Sequence, residues 1–261
     1  MKKLIFFVSL FVATILLIGS ANSTEIKTGT ISGQIMPGAE IPAKGWVAYF
    51  FNAETGPPPD LNKYRRIPDE NVPIGDDGRF TIGLVEGVYY IAVVKRLSGR
   101  TVGPPDPGDS FMCPRDDNGI PKSYAVKAGE VIDVGIISGT ETFKGLSTEG
   151  VSGIEGVILD SDGKPVNGAA VLAFLTKGEL QKPLFVSNLT DNDGKYFIRV
   201  AEGIYYLKVR AGYGGGSPVE GEIIGDYGEN KPDAVTVGKG QVKKGVNIKV
   251  VKFPRRGPKK E

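Results

Sequence analysis

Residues 76–94, DDGRFTIGLVEGVYYIAVV, return at residues 192–210 as NDGKYFIRVAEGIYYLKVR. The offset is 116 residues without a gap, and 8 of the 19 positions are identical. Each copy reads as an Asp-Gly turn, an alternating strand, a Glu-Gly turn and a second alternating strand. In the second copy Tyr196, Ile198 and Val200 alternate with Lys195, Phe197 and Arg199, the period-2 pattern of a strand with one face on a core. After Glu202-Gly203, Tyr205, Leu207 and Val209 share one face, while Lys208 and Arg210 mark the other. The charged face is expected outside, so Tyr205, Leu207 and Val209 are expected to point inward. The fixed offset carries that assignment to Tyr89, Ile91 and Val93. In the first copy Tyr90, Ala92 and Val94 stand where Tyr206, Lys208 and Arg210 do. An outer face that has lost its charges is expected to be covered by something.

A two-copy repeat in 261 residues predicts two domains. The 37 Gly and 18 Pro suit short strands and tight turns, and no long stretch of the mature region has a helical period. The fold class expected is all-β: two tandem seven-stranded Greek-key sandwiches, over 28–138 and 151–252, joined by a linker at 139–150. Strands are expected at 29–35, 45–51, 123–127 and 131–137 in the first domain. In the second they are expected at 152–159, 170–175, 184–189, 234–237 and 246–251. Two long Pro-rich loops, 52–75 and 98–121, interrupt the first domain, and a Gly-rich loop, 212–231, interrupts the second. Loops of that length in a compact domain tend to carry function.

The ends read as processing and tail segments. Lys2-Lys3, the apolar run Leu4–Ile18 and the small residues at Ala21-Asn22-Ser23 form a secretory signal peptide over 1–23, cut after Ser23. The alternative is an uncleaved anchor, although the apolar run is shorter than the ~20 residues a spanning helix needs. No Cys near that site offers a lipid anchor. The tail 253–261 is basic and the body before it is slightly acidic, so nothing resembles the basic face of a nucleic-acid-binding domain. The tail is read as a solvated end, or as a contact for an acidic surface.

Gly156 opens an apolar strand, Asp160-Ser161-Asp162-Gly163-Lys164-Pro165 follows, and Gly168-Ala169 opens the next strand. Thr190-Asp191, Gly194-Lys195-Tyr196, Gly203 and Tyr205-Tyr206-Leu207-Lys208-Val209 continue the pattern. With these motifs residues 153–210 resemble the carboxypeptidase regulatory-like domain. The first domain keeps Gly78, Gly87 and Tyr89 but lacks the Asp-x-x-Gly-x-Pro turn and the Thr-Asp step. The resemblance implies a transthyretin-like β-sandwich, a divergent first copy, and an accessory module rather than a peptidase.

The chain has no histidine, which removes His-based triads and imidazole metal sites, and leaves Cys113 without a conventional activating base. The lone Cys113 is either a buried or inert thiol or a bridge between chains. The Asp-Gly turns at Asp76–Gly78, Asp160–Gly163 and Asp191–Gly194 suit tight turns, with calcium ligation as the alternative. No metal, cofactor or catalytic residue is assigned. Phe197 and Tyr206 are expected as neighbours across the Gly turn, either packed on the rest of the chain or facing a partner. Tyr213 and Tyr227 in the Gly-rich loop, and Tyr64 with Arg65 and Arg66 in the first Pro-rich loop, complete the candidate contact residues. The function expected is an exported bacterial accessory protein, non-catalytic, binding another exported protein or envelope assembly. A carbohydrate-binding module is the alternative, and neither nucleic acid nor a stable membrane anchor is expected.

Overall fold

The computed structural model describes residues 27–254, apart from 39–40, 42, 101–102, 146–149, 178–181, 214–215 and 230. The expected signal segment 1–23 and most of the tail 253–261 lie outside the described residues. Among the described residues there is no helix, and so none long and apolar enough to cross a membrane.

The first unit holds β1 (Thr28–Met36), β2 (Trp46–Asn52), β3 (Glu70–Pro73), β4 (Arg79–Val85), β5 (Gly87–Lys95), β6 (Ser110–Met112), β7 (Ser123–Val126), β8 (Val131–Ser138) and β9 (Glu141–Thr142). The second holds β10 (Gly153–Leu159), β11 (Ala169–Phe174), β12 (Phe185–Val186), β13 (Lys195–Arg199), β14 (Gly203–Ala211), β15 (Ile223–Asp226) and β16 (Ala234–Val237). It closes with β17 (Val242–Lys243), β18 (Ile248–Lys249) and β19 (Val251–Lys252). Seven strands per unit were expected. The extra ones are mostly short edge pieces, and the strand expected at 246–251 is broken into β18 and β19.

The duplication runs through the whole topology. In the first unit β1 pairs with β4 and, in parallel, with β8; β2 pairs with β3 and β5; β5 pairs with β6 and β7; β6 pairs with β9. In the second, β10 pairs with β13 and, in parallel, with β17 and β18; β11 pairs with β12 and β14; β14 pairs with β15 and β16; β15 pairs with β19. Every pairing of one unit has its counterpart in the other, although only 19 residues are visibly repeated.

The repeated segment is not a hairpin. Its first strand (β4 or β13) bonds to β1 or β10, and its second (β5 or β14) bonds to β2 or β11, in the opposite sheet. The Glu-Gly turn therefore crosses the sandwich, and both alternating faces meet in the core. Tyr205, Leu207 and Val209 are at most 2% exposed, and Tyr89, Ile91 and Val93 at most 4%, as expected. A tyrosine braces each crossing: Tyr89 donates its hydroxyl to the Val85 carbonyl and Tyr205 to the Ala201 carbonyl, both at 3.0 Å.

A glycine completes each crossing strand's seat. Phe80 lies opposite Gly33 on β1, and Tyr196 lies opposite Gly156 on β10. A Cβ at Gly33 would stand 2.8 Å from Phe80 Cζ, and one at Gly156 only 2.0 Å from the Val246 carbonyl oxygen. Tyr196 donates its hydroxyl to that same Val246 oxygen at 2.6 Å.

Each sandwich has its own core. Ile31, Trp46, Phe50, Leu84, Ile91 and Met112 fill the first. Ile154, Ile158, Phe185, Ile198, Tyr205 and Leu207 fill the second. Side chains so enclosed contribute about 1.5–3 kcal/mol each. A third cluster of Tyr49, Phe51, Ala92, Val94, Phe111 and Phe143 lies on the back of the first unit's larger sheet, with Leu61 and Tyr90 against it. This is the cover that the uncharged outer face of the first copy called for. Phe143 follows β9, so the segment expected as a linker begins inside the first unit: Glu141 and Thr142 extend its sheet before the chain leaves.

Candidate functional site

The first Pro-rich loop crosses to the second unit. Arg66 bridges Phe185 in antiparallel fashion, Ile67 donates its N–H to the Leu184 carbonyl at 2.8 Å, and Val186 donates to the Arg65 carbonyl at 3.3 Å. Residues 65–67 thus cap the β12 edge of the second unit's larger sheet. An edge strand left open presents unpaired N–H and C=O groups, and here the first unit fills them. Tyr64 enters beside this pairing with its ring 5.2 Å from Phe185, and it packs against the second core. Lys182 reaches back to Glu70 at 3.0 Å.

Arg66 gives the loop its shape. Its guanidinium is buried beneath Phe51, 5.4 Å from the ring centroid. It donates to the carbonyls of Asn52 (2.5 Å), Gly56 (3.1 Å) and Pro57, to Thr55 Oγ1 (2.9 Å) and to Asp69 Oδ2 (3.2 Å). Satisfying so many carbonyls from one rigid fork is work that suits arginine and not lysine. A second arginine does the same for the other Pro-rich loop: Arg96 holds the carbonyls of Gly103 (2.6 Å) and Pro104 (2.8 Å). Buried Asp109 accepts the N–H groups of Leu97 and Asp106, each at 2.9 Å. The loop so held meets the second unit at Tyr213, whose ring lies where a Cβ on Gly103 would stand, 2.6 Å away.

Between these two contacts lies a cleft of about 1050 Å³. One wall is the outer face of β10 and β13: Glu155, Val157, Lys195, Phe197 and Arg199. Arg65, Arg100, Asp106 and Phe143 come from the first unit, and Asn188, Leu189, Tyr213 and Asn247 from second-unit loops. Three guanidinium groups share this space. Burial lowers the Arg65 pKa from its ordinary value; Tyr213 and Asp106 oppose the shift, and Arg199 and Arg100 add to it. Arg65 Nε is enclosed without a hydrogen-bond partner among the described residues. Arg199 lies over the Phe197 ring, 5.5 Å from its centroid, and burial depresses it too. The acids of the lining are engaged: Asp106 by Arg100, Glu155 by Lys244 at 3.3 Å, and Asp191 Oδ1 by the N–H groups of Asp193 and Lys195.

The residues singled out from sequence therefore separate. Arg65, Phe197 and Tyr213 come together in the cleft. Tyr64 and Arg66 are spent in the contact between the units. Tyr227 packs on the second core. Tyr206 corrects the expectation that it neighbours Phe197: the two lie in opposite sheets, because the turn between them crosses the sandwich. Tyr206 stands opposite Phe174, with Lys177 5.2 Å from its ring centroid. Sequence reading missed Arg100, Arg199, Phe143 and Asn188. Arg199 was legible as an outer-face position of β13; nothing in the one-dimensional pattern brings Arg100 or Phe143 to it.

The Asp-Gly turns use their carboxylates locally. Asp160 Oδ1 accepts the N–H groups of Asp162 and Lys164, and Asp191 Oδ1 repeats this with Asp193 and Lys195. Gly194, at φ 71°, takes the left-handed conformation that closes the turn. Among the described residues no cluster of three metal-ligating side chains forms. Cys113 is half-buried and unpaired by disulfide, with its thiol pushed up by burial.

No protein-family model and no curated protein matches the chain. The resemblance to the carboxypeptidase regulatory-like domain therefore rests on residues 153–210 alone. Among solved structures the chain is similar to the Bacillus anthracis TIE protein, at 18% identity over 86% of this chain and 34% of that one, with a TM-score of 0.25. It is similar to GBS52, the minor pilin of Streptococcus agalactiae, at 15% identity over 88% of this chain and all of that one, with a TM-score of 0.24. It is also similar to a DUF3823 family protein from Parabacteroides merdae, at 11% identity over 82% and 99% of the two chains, with a TM-score of 0.24. The chain spans about a third of the length of the TIE protein. TM-scores this low do not establish a shared fold.

Proposed function

We propose that this chain is an exported, non-catalytic binding protein whose two β-sandwiches act as one body and hold a component of the cell envelope in the cleft between them. The observation that carries this reading is the junction. Residues 65–67 continue the second unit's sheet and Tyr64 packs against its core, which holds the cleft walls together without a ligand. A preformed concave site loses less conformational freedom on binding than two tethered modules do. Export rests on the leader pattern at 1–23, and the absence of histidine weighs against acid–base chemistry in the cleft.

The test is capture on immobilised processed protein, offered a glycan panel and a solubilised envelope fraction. Asn188 is exposed and lines the cleft away from the junction. Asn188→Trp is expected to obstruct the cleft and abolish capture without lowering stability. Undiminished capture by Asn188→Trp would move the binding face elsewhere, and no capture by the wild-type protein would remove the binding function itself.

A further inference from the structure

We infer that the outer face of the first unit's smaller sheet, β4-β1-β8, is a self-complementary contact through which two molecules of this chain pair about a two-fold axis. The inference does not depend on what the cleft holds.

The comparison between the units is the first ground. By the offset of the repeat Gly83 stands where Arg199 does, and Ser32, opposite Thr81, stands where Glu155 does, opposite Phe197. In the second unit this face is the cleft wall, with first-unit residues across from it. In the first unit the face has lost those two charges, and its centre is bare among the described residues: a Cβ at Gly83 would meet no atom within 4 Å. The φ of Gly83 is not left-handed either, so the strand itself does not require glycine there. A glycine inside a strand weakens it, and it marks a place where another backbone comes close.

Exposed apolar side chains are the second ground. Met36 on β1, Val85 on β4, and Val131 and Ile136 on β8 are each more than half exposed, and all four lie on this face. The bulge in β8 sets the arrangement. Gly135, at φ 76°, adds a residue between the partners of Ser32 and Gln34, so Val131 and Ile136 both face outward while Ile132 and Ile137 turn to the core. Large apolar groups gathered on one face mark an interaction surface.

Charge identifies the occupant as a second molecule. The two charged strand residues of the face are Arg79 on β4, opposite Gln34, and Asp133 on β8, opposite Ser32, so they flank β1 on opposite sides. A two-fold axis along β1 lays β4 of one molecule over β8 of the other. Arg79 then approaches Asp133 of the other molecule, offset by two residue steps or about 7 Å along the strand, and symmetry makes the contact twice. Val85, opposite Thr28, approaches Val131 of the other molecule, which is opposite Thr30, and Met36 on the central strand approaches its own counterpart. Arg79 is tied only to Asp77, at 3.8 Å between two exposed side chains, a pairing that costs little to exchange. Asp133 Oδ1 accepts the Gly135 N–H at 2.9 Å and so holds the bulge.

Three strands of this length, ~4.8 Å apart, offer roughly 400 Å² per molecule. That is about half of what a stable complex buries on each partner, so the dimer is a weak one that forms as the protein is concentrated. The larger sheet is the other layer of the first sandwich, and Phe143 on its back lines the cleft. Pairing through the smaller sheet therefore leaves both clefts open, and an envelope component with repeated sites would engage two at once.

The experiment is sedimentation velocity on the processed full-length protein, from about 5 to about 500 µM because a contact this small is weak. The wild-type sedimentation coefficient is expected to rise from that of a monomer to that of a dimer. Gly83→Arg installs the side chain that the second unit has at Arg199, in a place where a Cβ meets nothing. It is expected to keep the protein monomeric throughout, with an unchanged melting temperature. Arg79→Glu and Asp133→Lys are each expected to weaken pairing about tenfold by setting like charges against one another, and the double variant to recover it. Gly83→Arg decides the case if Asp133→Lys loosens the bulge. A wild-type protein that stays monomeric to the top of the range would overturn the inference. So would a dimer that Gly83→Arg leaves intact, which would place the contact elsewhere. A double variant that melts as the wild type does and stays monomeric would overturn the two-fold arrangement. A melting temperature lowered by Gly83→Arg would give the face to another segment of the same chain. Envelope capture lost in Gly83→Arg by a protein that is always monomeric would give it to an envelope partner. Either result would overturn the pairing.

Discussion

Tyr64 of the first unit stands edge-on to Phe185 of the second, ring centroids 5.2 Å apart and planes at 66°, and Phe185 in turn stands edge-on to Tyr205 at 5.7 Å. This row of rings joins a loop of one sandwich to the core of the next. Tyr64 also donates its hydroxyl to the Pro58 carbonyl at 2.8 Å, which ties the ring to its own loop. Contacts between folded parts of the two units therefore hold them together.

Tyr64→Ala is expected to cost about 2–3 kcal/mol, at or below the low end for truncating a core aromatic because Tyr64 is only half-buried. It should also uncouple the units. Denaturant unfolding followed by tyrosine fluorescence is expected to change from one transition to two. Tyr206→Ala is the control, with a loss of about 1 kcal/mol or less, because its ring lies on the outer face. A single unshifted transition in Tyr64→Ala would show that the ring row does not join the units.

The face assignment is tested within one strand. Leu207 is fully buried, and Leu207→Ala is expected to cost about 2–5 kcal/mol. Lys208 lies 3.9 Å from Asp226 and 5.6 Å from the Phe174 ring centroid, on the outer face. Lys208→Ala should cost no more than about 1 kcal/mol. Comparable losses at both positions would mean that the strand is one residue out of register.

Periodicity and a duplicated segment were enough to place the long strands, the inward faces and the covered back of the first copy. Alternation reports which side of a strand meets a core, and the charges at Lys208 and Arg210 gave the direction. The same alternation cannot distinguish a hairpin from a crossing between sheets, since both put one face of each strand on apolar neighbours. That ambiguity separated Phe197 from Tyr206. Short strands such as β3, β6 and β15 are too brief to show a period. The cleft was legible only in pieces, as Arg65, Phe197 and Tyr213, because its walls are assembled by a loop that pairs across units. No local pattern records that Arg65 will meet Arg199, 134 positions away.

The paired glycines allow a comparison between the copies. At Gly156 a new Cβ would press on a backbone carbonyl, which has no room to yield. At Gly33 it would meet the Phe80 ring and Val134 Cγ2, which are side-chain atoms able to shift. Overpacking costs about 1–3 kcal/mol where neighbours can adjust, and more where they cannot. Gly156→Ala is expected to destabilise by more than about 3 kcal/mol, and Gly33→Ala by about 1–3 kcal/mol. Thermal melts of both variants would show it, and the reverse order would refute the claim that the neighbours of Gly33 yield and those of Gly156 do not.

Alkaline stability follows from three tyrosines whose ionisation burial disfavours. Burial, and then Asp60, pushes Tyr64 up to about 12, and burial, and then Tyr64 itself, pushes Tyr205 up to about 12. Burial raises Tyr196 further, behind its hydroxyl's bond to the Val246 carbonyl. An unfolded tyrosine ionises near 10. Below pH 10 both states keep these protons, so the full contribution to stability is present. Between pH 10 and 12 the unfolded chain releases protons that the folded chain retains, so stability falls as pH rises. The melting temperature is expected to be insensitive to these groups from pH 7 to 9.5 and then to drop steeply. The tyrosinate absorbance of Tyr64, Tyr196 and Tyr205 should appear only with unfolding. Tyr205→Phe should make the drop shallower, because one fewer retained proton opposes ionisation. Titration of all ten tyrosines near pH 10 with the fold intact would show that these three hydroxyls are open to solvent, and would undo both the ring row at the junction and the brace at the crossing.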